Sequence, residues 1–110
     1  MNFSFESTYN HFIIYENIKN IEIYNKFLNW IKGEFDLYLM EDLDGLKVYF
    51  PNGWFSIMIL SERELDLKIV IQIKSKTLNS GIKIETQIKN SYNHLNQVYE
   101  NKFINVLTQE

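Results

Sequence analysis

Residues 46–60 read LKVYFPNGWFSIMIL and carry the strongest structural signal in the chain. Apolar residues up to Phe50 alternate with Lys47 and Tyr49, as in a strand with one buried face. An Asn-Gly pair follows, and this pair favours the tight turn of a β-hairpin. A second run, rich in β-branched and aromatic residues, extends from Trp54 to Leu60. The segment therefore predicts two antiparallel strands joined by a short turn.

Strand patterns also lie on both sides of the hairpin. Downstream, leucine and isoleucine at alternate positions of residues 67–73 are separated mainly by Lys and Gln, which predicts another strand with one buried face. Upstream, residues 11–16 contain the apolar run FIIY and predict the first strand. Phe3 and Phe5 suggest an additional edge strand before it, and residues 36–40 suggest a short extended segment.

Two segments show helical periodicity. The first begins after Asn20, a favoured N-cap residue, and its apolar stripe has the spacing of an α-helix. The stripe consists of Ile21, Tyr24, Leu28, Ile31 and Phe35. A loop over residues 75–81 leads to the second segment, which predicts a long amphipathic helix. Its apolar face consists of Ile84, Ile88, Tyr92, Leu95, Val98, Tyr99, Phe103 and Val106.

The order of these elements is β-α-β-β-β-α. It predicts an α+β fold in which a mostly antiparallel four-stranded sheet packs against two helices. The chain has 110 residues, the size of one domain, and no repeat, low-complexity tract or linker divides it. We therefore expect a single domain over residues 1–110.

Composition argues against several classes of function. The chain contains no cysteine, which rules out disulfides and thiolate chemistry and suits a reducing compartment, so we expect a cytoplasmic protein. A formal net charge of −3 provides no general positive field for nucleic acid. The apolar runs are too short to span a membrane. Enzyme and phosphate-loop motifs are absent, so no catalytic residue, cofactor or metal site is predicted.

Part of the chain resembles the C-terminal domain of the phosphohexomutases, the phosphoglucomutase and phosphomannomutase superfamily. The similarity lies in Asp44-Gly45 before the hairpin, in Gly53-Trp54 at its turn, and in SERELDLKI over residues 61–69. With the order of helices and strands, it covers residues 12–95. In this family, a loop of the form Arg-Pro-Ser-Gly-Thr-Glu-Pro grips the phosphate of the substrate.

The family's phosphate loop is only partly preserved. Ser61 and Glu64 match its serine and glutamate, whereas Glu62 and Arg63 stand in place of its glycine and threonine. Ile and Leu at residues 59–60 replace its arginine and proline. A glutamate in this loop places negative charge where an anion would bind. The resemblance therefore implies a degenerate ligand-binding site of Ser61, Arg63 and Glu64, with weak affinity for a phosphorylated sugar.

The candidate residues have alternative interpretations. Arg63 is the only arginine, and it either holds an anion through its planar guanidinium or is a solvated loop cation between two glutamates. The acidic group at residues 41–44 lacks the remaining positions of a calcium loop, which favours a solvated turn. His11 and His94 are far apart and have no partners at metal-ligand spacing.

Three hypotheses about function follow. The first is a non-catalytic binding module related to the phosphohexomutase C-terminal domain, which contacts a partner protein or weakly binds a phosphorylated sugar. The second is a small acidic inhibitor or immunity-type protein that blocks a basic partner protein. The third is a piece of a longer mutase, because the phosphoserine and magnesium loop of that family belong to other domains. In each case the chain is not an enzyme on its own.

Overall fold

A computed structural model of the chain describes residues 9–108, with side chains for residues 9–99. It has an α+β architecture with two helices and one antiparallel sheet. The strands are Asn10–Ile18 (β1), Leu39–Glu41 (β2), Leu46–Phe50 (β3), Gly53–Glu62 (β4) and Leu67–Ser75 (β5), and the helices are Ile21–Glu34 (α1) and Leu78–Thr108 (α2). The edge strand suggested by Phe3 and Phe5 lies outside the described residues.

The sheet contains five strands in the order β1-β5-β4-β3-β2, and all neighbouring strands are antiparallel. The α+β class, the two helices and the antiparallel sheet are confirmed, whereas the predicted number of four strands is wrong. The additional strand is β2, an edge strand of three residues that pairs with β3. So short a strand shows no alternation in the sequence, which indicates only an extended segment there.

The hairpin predicted for residues 46–60 is confirmed as β3 and β4. Phe50 pairs with Gly53 across the turn. A Cβ atom at Gly53 would lie 1.8 Å from the carbonyl oxygen of Lys74, because β5 passes directly beside this point. The glycine is therefore required by the close approach of two strands.

Strand β4 is longer than predicted. It continues to Glu62, so the loop expected to start at Ser61 begins two residues later. A register shift between Ile59 and Ser61 inserts one extra residue as a β-bulge. The bulge interrupts the alternation of side chains, and this is why the polar residues at the end of the strand resemble a loop in the sequence.

The helices cover one face of the sheet, and the alternation along each strand decides which side chains they cover. In β5, Ile69, Ile71 and Ile73 are almost completely buried. Phe55 and Ile57 of β4 pair with the last two of these and are buried on the same side. They join the buried side chains of both helices in one hydrophobic cluster. The fold therefore has two layers with the core between them.

Helix α1 begins at the predicted residue. Oδ1 of Asn20 accepts a hydrogen bond from the backbone N–H of Ile23 at 2.9 Å, which confirms the N-cap. Phe27 and Ile31 are completely buried on the inner side of the helix. The Phe27 ring meets the Tyr92 ring of α2 edge to face, with 5.8 Å between their centroids. Helix α1 thus packs against α2 as well as against the sheet.

Helix α2 begins earlier than predicted. Its first residue is Leu78, so most of the loop expected over residues 75–81 is wrong. Thr77 Oγ1 accepts a hydrogen bond from the backbone N–H of Ser80 at 3.2 Å, as an N-cap residue does. Near the start of the helix, the residue that contacts the sheet is Gly81, which is buried, and not a large apolar side chain. Hydrophobic periodicity therefore misses this part of the helix.

We expect the same substitution to have opposite effects at two helical glycines. A Cβ atom at Gly81 would lie 2.3 Å from Cε1 of Phe12 in β1. Gly81→Ala should therefore overpack this contact and lower the free energy of unfolding by about 1–3 kcal/mol. Gly33→Ala is the matched control, since no atom lies within 4 Å of its Cβ position. It should raise that energy by about 0.5–1 kcal/mol. Urea denaturation measures both, and equal effects would contradict the packing of α2 on β1.

Candidate functional site

The three residues predicted to bind a ligand lie in or next to the turn between β4 and β5. Ser61 belongs to β4 and pairs with Lys68, on the side of the sheet away from the helices. Arg63 and Glu64 lie in the following turn and are exposed. No hydrogen bond or ion pair joins any two of the three in the part of the chain that the structure describes. The structure thus places them close in sequence without assembling them into a pocket.

Arg63 is bound by its own turn. Its Nε donates to Oδ1 of Asp66 at 2.7 Å, and its Nη2 donates to Oδ2 at 2.8 Å. The same Nη2 donates to Oδ1 of Asn17 in β1 at 3.1 Å. The hydrogen bonds to Asp66 raise the pKa of the Arg63 guanidinium. The arginine therefore fastens the β4–β5 turn to β1, and the edge that it presents to Asp66 is already occupied.

Side chains of the acidic turn at residues 41–44 also bind other residues of the chain. Asp42 forms an ion pair with Lys32 of α1 at 2.9 Å. Glu41 accepts a hydrogen bond from the hydroxyl of Tyr49. Among the residues described here, no group of three His, Cys, Asp or Glu side chains is placed to hold a metal ion. The turn thus links β2 to α1 and β3.

The two histidines lie on different elements and have different neighbours. Nε2 of His11 lies 3.3 Å from Oε1 of Gln72 on β5, within hydrogen-bonding distance. His94 packs against Trp30 of α1 with ring centroids 4.9 Å apart, in an edge-to-face arrangement. The first histidine belongs to the sheet surface, and the second belongs to the contact between the helices.

The sheet face opposite the helices carries a larger candidate surface, which we call the open face. The strand register aligns its side chains in rows that cross the sheet. The rows are Leu39-Tyr49-Trp54-Lys74-His11, Glu41-Lys47-Ser56-Gln72-Ile13, Met58-Val70-Tyr15 and Ser61-Lys68-Asn17. The open face thus combines aromatic and basic residues at one end, an apolar centre, and another basic position near the β4–β5 turn.

Two lysines of the open face converge on one tryptophan. Nζ of Lys47 lies 4.4 Å from the centroid of the Trp54 ring and 5.0 Å from that of the Tyr49 ring. Nζ of Lys74 lies 5.9 Å from the Trp54 ring. These distances fall within the range of cation–π attraction, which holds the lysine side chains against the sheet. The result is two positive charges next to a large, half-buried aromatic ring.

The third lysine of the open face, Lys68, lies at the other end, with Nζ 5.4 Å from the centroid of the Tyr15 ring. None of the three lysines takes part in the ion pairs found among residues 9–99. The rows contain these three lysines and one carboxylate, Glu41, so the open face has a formal net charge of +2, whereas the whole chain has −3. The rest of the chain therefore carries −5. The open face is a positive region on a negative molecule.

A shallow cavity of about 260 Å³ lies beside Trp54 on this face. It is lined by Leu43, Leu46, Lys47, Trp54, Ser56, Met58 and Gln72. Apolar walls, an ammonium group, a hydroxyl and an amide meet there. This arrangement can take up one side chain or a group of similar size, by apolar contact together with hydrogen bonds.

No protein-family model matches the chain, and no curated protein is significantly similar to it. Nothing in these comparisons links it to the phosphohexomutase superfamily, so that resemblance stays a prediction. Among the described residues, neither helix has the length and apolar character needed to cross a membrane.

The open face is not evident from the sequence. One feature of the sequence pointed to it: lysines and aromatic residues, such as Lys47, Tyr49 and Lys74, occupy the polar positions of the strand patterns. A solvated strand face contains the same residue types, so these positions alone do not indicate a binding surface. The rows appear only when the register of all five strands is known, because their members are far apart in sequence.

We expect Asp66→Asn to release the guanidinium of Arg63. The amide keeps the shape of the carboxylate but gives up the charge-assisted, bidentate pairing. Millimolar glucose 6-phosphate should then shift the Nε–H signal of Arg63 in NMR spectra of the variant, and should leave it unchanged in the native chain. Glu64→Gln removes the same charge from the same turn and should behave as the native chain does. Shifts of Arg63 and Ser61 in the native chain would contradict this account of the turn and support the phosphate site.

Proposed function

We propose that the chain is a non-catalytic binding module that contacts a partner protein through its open face. The observation that carries the proposal is the apolar centre of that face. Ile13, Tyr15 and Met58 are 50%, 56% and 36% exposed, and they lie around Val70. Weak binding of a phosphorylated sugar is not part of this proposal, because Asp66 already holds the Arg63 guanidinium, and the titration described above tests it.

The composition of the open face supports this proposal. Protein interfaces have an apolar centre inside a polar rim, and tyrosine and tryptophan are enriched among the residues that contribute most to binding. Here Tyr15 belongs to the apolar centre, Trp54 lies beyond its edge, and Lys, Ser and Gln side chains surround it. Apolar area that a partner removes from water contributes about 25 cal/mol per Å². Regular strands hold all of these residues, so a partner can dock without rearranging the backbone.

Two turns with exposed leucines favour a second candidate function, that of a small acidic inhibitor. Leu43 lies between two aspartates in the β2–β3 turn and is 78% exposed, and Leu65 lies between Glu64 and Asp66 and is 87% exposed. A leucine tip between carboxylates suits a basic partner that has an apolar pocket. In that case these turns, and not the open face, are the contact surface.

We expect the double variant Ile13→Thr, Tyr15→Thr to bind the partner at least tenfold more weakly, which corresponds to about 1.4 kcal/mol or more. Threonine favours strands, as isoleucine and tyrosine do, so the edge strand should remain folded. The matched control is Ile82→Thr, Val98→Thr, which replaces two side chains of α2 that are each 44% exposed. Proteins that the tagged native chain retains from a host extract are identified and purified, and calorimetry then measures their dissociation constants for each variant.

The variant Leu65→Ser separates the two candidates in the same assay, because Leu65 lies in the β4–β5 turn, whereas Leu43 also lines the cavity of the open face. Weaker binding by the open-face variant alone supports the first candidate, and weaker binding by the leucine variant alone supports the second. If all variants bind the purified partner equally, or the native chain retains no protein, both proposals are contradicted. Circular dichroism of each variant shows whether it has kept its fold.

A further inference from the structure

We propose that the partner surface is acidic, with carboxylates that pair with Lys47, Lys68 and Lys74 of the open face. This inference rests on the proposed function, because it specifies the chemistry of the surface that the open face contacts. The observation behind it is the charge difference between the open face, at +2, and the rest of the chain, at −5. An acidic partner is attracted to this face and repelled by the net negative charge of the rest of the chain, and such complementarity orients a partner.

The positions of the lysines match a partner with an apolar centre and acidic margins. Lys74 and Lys47 lie on one side of the apolar centre, in the two rows that contain Trp54 and Gln72. Lys68 lies on the other side, six residues before Lys74 along β5. At the rise of a β-strand, this separation is about 20 Å. Carboxylates at both ends of a partner of that length can therefore be reached while its apolar residues cover the centre.

The three lysines also need little rearrangement to form ion pairs with a partner's carboxylates. None of them forms an ion pair among residues 9–99, so no carboxylate of these residues has to be displaced. Their contacts with Tyr15, Tyr49 and Trp54 hold the flexible side chains against the sheet. Less side-chain entropy is then lost when a carboxylate arrives. An ammonium group over a ring also keeps hydrogens free to donate to the carboxylate oxygens.

Single-stranded nucleic acid fits the same face less well. Its bases bind proteins by stacking on aromatic rings, but each tyrosine and tryptophan ring of the open face has a lysine ammonium over it. Three lysines would release only about two counterions from a single strand, which provides little affinity for nucleic acid. Carboxylates use the same ammonium groups without removing them from the rings. The observations therefore favour an acidic protein surface.

Defined peptides test the inference independently of the natural partner. The probes are acetyl-ETEFETE-amide, its basic counterpart acetyl-KTKFKTK-amide, and a short oligothymidine, each titrated into the isotope-labelled native chain. We expect the acidic peptide alone to shift the Trp54 indole signal and the backbone amides of Lys47, Lys68 and Lys74. Its affinity should fall roughly tenfold in the variant Lys47→Gln, Lys68→Gln, Lys74→Gln, because each exposed pair contributes a small amount.

The matched control is Lys26→Gln, Lys83→Gln, Lys89→Gln, which removes the same charge from the helices and should change the affinity less than twofold. Equal shifts with the basic peptide would overturn the acidic partner but leave the open face as a binding surface. Shifts with oligothymidine alone would assign the face to nucleic acid and overturn the inference. If no probe shifts these signals, the inference is overturned, and the capture experiment separately decides the proposed function.

Discussion

The whole structure depends on the burial of one face of the sheet under two helices. Ile69, Ile71 and Ile73 of β5, which lies between β1 and β4, are almost completely buried there, and the burial of one such side chain contributes about 1.5–3 kcal/mol. A slip of β5 by one residue would expose all three and move lysines into the core, so the core fixes the register. The same alternation necessarily places Lys68 and Lys74 on the opposite face. The open face is therefore a direct consequence of how the core is built.

Asn17, near the end of β1, connects the sheet to helix α2 and to the turn between β4 and β5. Its carbonyl oxygen accepts a hydrogen bond from the Tyr92 hydroxyl of α2 at 2.6 Å, and its side chain accepts one from Arg63. Burial raises the pKa of Tyr92, which further favours the protonated hydroxyl that donates this hydrogen bond. Arg63, a candidate anion-binding residue in the sequence, is held within this network through Asp66. The geometry gives it a role in positioning the β4–β5 turn.

The sequence was informative wherever a signal was local. The hairpin at residues 46–60 and the N-cap Asn20 were predictable, because the turn and the cap each depend on a few neighbouring residues. Strand β2 was too short to show a pattern, and the start of α2 was hidden because Gly81 makes its contact with the sheet. The open face was not predictable either, because each of its rows joins residues from three to five strands. Such a row depends on strand order and register, which no single segment encodes.

The most direct test of the open face is the relaxation of side-chain methyl signals by a soluble gadolinium chelate in NMR spectra of the isolated protein. Ile13 and Ile73 are suited to this comparison, because they lie on paired strands and face opposite sides of the sheet. If the helices cover only one face, the chelate should strongly broaden the signals of Ile13 and Met58 and leave those of Ile71 and Ile73 sharp. Equal broadening of both sets, or protection of Ile13, would contradict the existence of an open face.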